Sequence, residues 1–334
     1  MLLVLALGVL IRILFNFKWS DMGNMLQWER FGFGLVETVF APIAATTALG
    51  FLMLGPRLSA NADLPKWLGI LKIGFLALSL IVLLEALILT QTRGAWLAAA
   101  IVYPISLFIR YNRFIIGFDS LSWKKLALFV LAILLLFFLF QENTETIVRR
   151  INSESLQSSP PVEMKEVDGQ KVLMTTSLGY RKLLWSIGLK KWMERPLFGW
   201  GPGSTELLLK QEHHPLLSQP PVIYNNGKAS VLSLSHLHNL YLELLVRFGI
   251  FGTLLFLSMP LVMLSGVRKS FANNRIPWDC VCFLFAGWGL IAIMYFFDFQ
   301  IFKYAWRNNC LLWAAFTFAV QIGNLEAEAK SYPT

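Results

Sequence analysis

Residues 126–140 read Leu-Ala-Leu-Phe-Val-Leu-Ala-Ile-Leu-Leu-Leu-Phe-Phe-Leu-Phe, without one polar side chain. At ~3.6 residues per turn this run is apolar on every face, which leaves no stripe for water. Working outward, similar blocks lie at about 2–17, 35–54, 67–90, 95–109, 244–264, 278–296 and 309–322. The chain of 334 residues is 56% hydrophobic and 15% charged, against ~25% charged in a soluble domain. Its mean hydropathy is +0.58. These values exclude a disordered chain, a coiled coil and a small disulfide scaffold, and they speak against a soluble enzyme. The expected fold is all-α: a polytopic transmembrane helical bundle of about eight spans. Blocks at or below ~17 residues rely on flanking Trp, Lys or Arg to reach the interfaces.

The bias of lysine and arginine orients the spans. One set of short loops carries Arg57, Lys66, Arg110, Arg113, Lys124, Lys125, Arg268, Lys269 and Arg275. The opposite set carries Lys18, Arg30, Arg93, Lys303 and Arg307. The richer set is read as cytoplasmic, and both termini follow it. The expected organisation is five spans in residues 1–140, a large exported loop at 141–237, and three spans with a short tail in 238–334. In a bacterium the exported side is the periplasm, and the membrane is the inner one. Cys280, Cys282 and Cys310 fall inside spans, so no disulfide framework is implied.

A loop of this length is usually functional or disordered. Residues 152–170, rich in Ser, Glu, Gln and Pro, read as flexible. Across 178–193, Leu184, Trp185, Leu189, Trp192 and Met193 recur at helical spacing, with Arg181, Lys182, Lys190 and Lys191 between them. This amphipathic helix suits either a membrane surface or a packed core. Pro196 follows it, and residues 196–203, Pro-Leu-Phe-Gly-Trp-Gly-Pro-Gly, read as a tight turn. No Walker lysine follows those glycines.

The four histidines, His213, His214, His236 and His238, lie in or just after this loop. His-x-His suggests a metal pair, but no Asp, Glu or Cys constellation completes it, so no metal and no cofactor are expected. One histidine acting as general base is the simpler use, since its pKa lies near neutrality. Arg93, Arg181, Arg247 and Arg307 each serve as interfacial anchors singly, or as a phosphate site if grouped. Glu85, Glu243 and Asp298 lie inside or beside spans, where acids are costly and tend to be functional. ATP and nucleotide sugars are scarce outside the cytoplasm, so an exported transferase needs a donor already activated on a lipid. No nucleic-acid partner is expected; membrane lipids are.

Three segments resemble the bacterial O-antigen ligases. They are Leu89-Thr90-Gln91-Thr92-Arg93-Gly94-Ala95-Trp96; Ser177-Leu178-Gly179-Tyr180-Arg181 with the downstream Pro196-Leu197-Phe198-Gly199-Trp200-Gly201; and His236-Leu237-His238-Asn239, followed after nine residues by Gly249-Ile250-Phe251-Gly252. Their order and the loop before the last spans match as well. The resemblance implies a metal-independent, inverting glycosyltransferase at the periplasmic face, acting in lipopolysaccharide biosynthesis. His238 would be the catalytic base on a lipid A–core hydroxyl. Arg93 and Arg181 would bind the diphosphate of an undecaprenyl-diphosphate-linked glycan donor. Asn239, Asp298, Arg307, Gln91 and Glu243 would support them. Family members usually have about twelve spans, so the eight here correspond to the last eight. Four N-terminal spans are expected to be missing, which would put activity of this form at risk. Two alternatives stay open: an O-antigen polymerase or O-linked protein glycosyltransferase of the same superfamily, and a transporter for a polyprenyl-linked lipid.

Overall fold

The computed structural model describes residues 2–16, 35, 37–59, 65–115, 163–167, 170–174, 177–212, 222–225, 228–231 and 235–297. The expected spans at 126–140 and 309–322 lie outside them, as do Asp298, Arg307, His213, His214 and Cys310. Among the described residues there are eight helices: α1 (Leu2–Asn16), α2 (Glu37–Ser59), α3 (Lys66–Leu89), α4 (Arg93–Ile115), α5 (Ser177–Glu194), α6 (Ser204–Gln211), α7 (Leu240–Ala272) and α8 (Trp278–Tyr295). Four of these carry stretches long and apolar enough to cross a membrane: Val39–Arg57, Trp67–Leu89, Leu240–Ala272 and Trp278–Tyr295. The chain is a helical, multi-pass membrane protein.

Two compact units divide the described chain. One holds the described residues within 1–147 and 260–294; the other holds those within 148–259 and 295–297.

In the first unit, α2 is the packed centre. Phe40, Ala41, Ala44, Ala45, Thr47, Ala48 and Leu49 are fully buried. Small residues let neighbouring backbones approach, the usual basis of helix association in lipid. Tyr103 Oη donates to Ala45 O at 2.7 Å, and Arg110 Nη1 donates to Leu52 O at 2.6 Å. Both bonds join residues 58 apart, so α2 and α4 run parallel in one register, and α3 returns between them in sequence. Outward residues of α3, including Ile70, Leu71, Phe75 and Leu78, are exposed, as a lipid-facing helix requires. At the Arg57 end, Arg57 Nε meets Asp279 Oδ2 at 2.7 Å. The end of α2 and the start of α8, both assigned to one side by charge bias, therefore do meet.

In the second unit, α5 covers the stretch read as amphipathic. Tyr180, Leu184 and Ile187 bury against Leu208 and Leu209 of α6 and against Leu237 and Val246. The inner face of α5 thus packs on protein, while Leu189 and Met193 stay exposed.

Two hairpins add strand to the loop. Strand β1 (Glu163–Val167) pairs antiparallel with β2 (Gln170–Met174), and β3 (Val222–Asn225) with β4 (Lys228–Val231). The reading of 152–170 as flexible is corrected for 163–167. Asp168-Gly169 and Asn226-Gly227 stand between the paired strands, and such dipeptides are strong hairpin signals.

Candidate active site

Helix α7 begins one residue after Asn239, the N-cap. Asn239 Oδ1 accepts the N–H of Leu242 at 3.0 Å, satisfying a donor that the first turn leaves open. Immediately before it, His238 takes φ +52°, a left-handed conformation uncommon outside glycine, although histidine, asparagine and aspartate adopt it more readily than other side chains. Such a conformation persists only where the surroundings enforce it.

The surroundings do so through Leu237. Its N–H donates to Glu243 Oε2 at 2.8 Å, and its carbonyl accepts Trp185 Nε1 at 3.0 Å. Its side chain is buried in the α5–α6 core. Gly188 lets α5 come close: a Cβ there would stand 2.6 Å from Leu237 Cδ1. The residue between the two histidines is therefore held by backbone donor, backbone acceptor and side chain together.

Glu243 is fully buried. Its second oxygen accepts Arg247 Nε at 2.6 Å and lies 2.5 Å from Arg247 Nη2. Arg247 Nε also donates to Thr205 Oγ1 of α6 at 3.2 Å. A buried carboxylate needs a counter-charge and hydrogen bonds on its lone pairs, and it has both. Arg247, read as an interfacial anchor or phosphate ligand, instead neutralises Glu243.

The turn brings His236 and His238 together, ring centroids 4.2 Å apart. His236 is buried, with Nδ1 2.8 Å from Ser235 Oγ, whereas His238 is half-buried. Tyr180 stands edge-on to His238 at 6.4 Å. Its hydroxyl is buried with no hydrogen-bond partner among the described residues, and burial pushes its pKa up to about 12. The phenol is neutral at physiological pH. Arg181, the next residue on α5, is half-buried. No group of three His, Cys, Asp or Glu side chains able to hold a metal occurs among the described residues.

A second feature joins the turn at 196–201 to α7. Gly249 interrupts the helix at φ +64°, ψ −168°, a region essentially restricted to glycine. The break frees backbone groups, and the turn takes them up. Trp200 N–H and Gly201 N–H donate to Val246 O and Arg247 O, both at 2.8 Å. In return, Ile250 N–H donates to Pro196 O at 2.8 Å and Phe251 N–H to Leu197 O at 3.2 Å. Gly199 and Gly249 are where the two backbones touch, since a Cβ on either would enter the other segment. The sequence marked both segments, but their mutual docking was not readable from it.

In the other unit, the turn carrying Gln91 and Arg93 links α3 to α4. Gln91 takes φ +49°. Thr90 Oγ1 bonds Leu87 O at 2.7 Å and accepts Thr92 N–H at 3.3 Å. Trp96 Nε1 donates to Leu87 O at 3.0 Å, stapling the two helices. Arg93 opens α4, where the positive end of the helix dipole adds to its own charge.

These features define a multi-pass membrane protein in which the longest helix among the described residues is entered through a His-x-His turn held at Leu237. A family model described as O-antigen ligase matches residues 78–257, more than half of the chain, and the chain belongs to that family. The match includes Arg93, Arg181 and His238. A protein of Haemophilus influenzae (strain ATCC 51907 / DSM 11121 / KW20 / Rd), described as uncharacterized, is 29% identical over 217 residues, covering 63% of this chain and 47% of that protein. The chain spans about half the length of that curated relative.

Proposed function

We propose that the protein transfers a glycan from undecaprenyl diphosphate to lipid A–core oligosaccharide at the periplasmic face of the bacterial inner membrane. Membership of the O-antigen ligase family supports the superfamily chemistry, and the observation that carries the reading is the enforced presentation of His238. In the proposed step, the acceptor hydroxyl oxygen attacks the anomeric carbon of the lipid-linked sugar. His238 takes the hydroxyl proton. The bond from the anomeric carbon to the diphosphate oxygen breaks, and undecaprenyl diphosphate leaves with the electron pair. Arg93 and Arg181 bind the diphosphate and stabilise the charge that develops on it. Glu243 and Asn239 position the histidine turn, Gln91 shapes the Arg93 turn, and the resemblance to the family gives Asp298 and Arg307 supporting roles.

Complementation of a ligase-null strain tests this. Wild-type protein is expected to restore O-antigen on lipid A–core, and His238→Ala to abolish it with the protein still in the membrane. Intact attachment by His238→Ala would remove the base from the mechanism. Glycan lengthening or protein glycosylation without lipid A–core modification would reassign the acceptor.

A further inference from the structure

Helix α7 consists of two helical segments, 240–248 and 250–272, separated by the non-helical Gly249, and the hydrocarbon core of a bilayer is ~30 Å thick. A single crossing needs only the longer of the two segments. Residues 250–272 rise ~34 Å, enough to cross once; residues 240–248 are the surplus. We propose that Gly249 marks the edge of the hydrocarbon core, and that Leu197 and Phe198 are seated in the bilayer's headgroup–acyl boundary as an interfacial anchor.

The bilayer is the occupant because this patch continues the lipid-facing stripe of the span. Phe198 is 75% exposed and Leu197 50%. The Phe198 ring lies 5.4 Å from that of Phe251. Phe251, Leu254 and Leu255, on one face of α7, are 56%, 60% and 72% exposed. Irregular backbone is tolerated at membrane depth only where protein satisfies its polar groups. The four reciprocal bonds between 196–201 and α7 do this. On the other side of the patch stand the groups an interface favours. Arg195 lies over the Trp200 ring at 4.1 Å, Trp192 Nε1 bonds Pro196 O at 3.2 Å, and Trp200 Nε1 bonds Lys191 O at 2.7 Å. The anchor fixes the depth of the His236–His238 turn, no more than ~13 Å of helix beyond the core edge. This placement holds whatever glycan the site transfers.

The full chain in phosphatidylethanolamine–phosphatidylglycerol nanodiscs tests it, with the native cysteines changed to alanine and nitroxides on single Leu197→Cys and Phe198→Cys variants. Oxygen collisions are expected to exceed nickel-chelate collisions at both, as at Leu255→Cys, and the order to reverse at Lys210→Cys. Behaviour like that of Lys210→Cys at 197 and 198 would overturn the proposal. A benzophenone amino acid in place of Phe198, with every native cysteine kept, decides the matter independently of that background. Photo-adducts with phospholipid support the anchor; adducts confined to protein, including a second copy of the chain, overturn it.

Discussion

At the scale of residues, Glu243 joins the helix to the histidine turn. Replacing it with Ala removes the acceptor of the Leu237 N–H and the counter-charge of Arg247, which keeps its bond to Thr205. Breaking a buried pair from one side costs about 3–5 kcal/mol. Glu243→Gln keeps an acceptor for Leu237 but not the charge. The expected order of thermal stability in detergent is wild type, Gln, Ala, with turnover falling in Gln while donor KM is kept. Arg93→Lys retains charge and loses the bidentate fork, so donor KM is expected to rise about tenfold, ~1.4 kcal/mol, with little change in melting temperature. Tyr180 differs, because its buried hydroxyl costs stability. Tyr180→Phe is expected to stabilise by about 1 kcal/mol. With its pKa raised to about 12, the folded phenol keeps its proton while the unfolded one releases it near ~10. Its linkage contribution is fully present below pH ~10 and lost as pH rises toward 12. Melting curves across that window should fall less steeply for Tyr180→Phe than for wild type.

At the scale of elements, the four long apolar helices among the described residues were legible because lipid-facing helices are apolar all round, and hydropathy measures that directly. Helix α5 was legible from its spacing, though spacing could not say that Leu184 and Ile187 face α6 and not lipid. The break in α7 was not legible, since Gly249 within an apolar run reads as a tolerated helix residue until its partner at Pro196 and Leu197 is seen. Leu237 was invisible for a similar reason: its role lies in backbone bonds to Glu243 and Trp185, which no side-chain pattern encodes. The hairpins had a readable signal in Asp168-Gly169 and Asn226-Gly227, outweighed by polar composition. Gly249→Ala tests the element directly. Strain at its φ and ψ together with the clash at Leu197 is expected to cost at least ~2 kcal/mol, and limited proteolysis should cut the 196–201 turn faster than in wild type.

At the scale of the whole molecule, the net charge of +9 is expected to divide by side under the positive-inside bias. Arg57 with Asp279, and Arg110 with Leu52, mark one end of the first unit. The positive-inside bias assigns that end to the cytoplasm. An impermeant thiol reagent on intact spheroplasts is expected to label Lys210→Cys and spare Asn273→Cys; the reverse would invert the topology. The central claim concerns transfer. Purified protein in lipid, given an undecaprenyl-diphosphate-linked glycan together with lipid A–core, a glycan acceptor and a protein acceptor, measures it most directly. Glycan on lipid A–core with wild type, and none with His238→Ala, is the predicted result. Transfer that survives His238→Ala, or that goes to another acceptor, would contradict it.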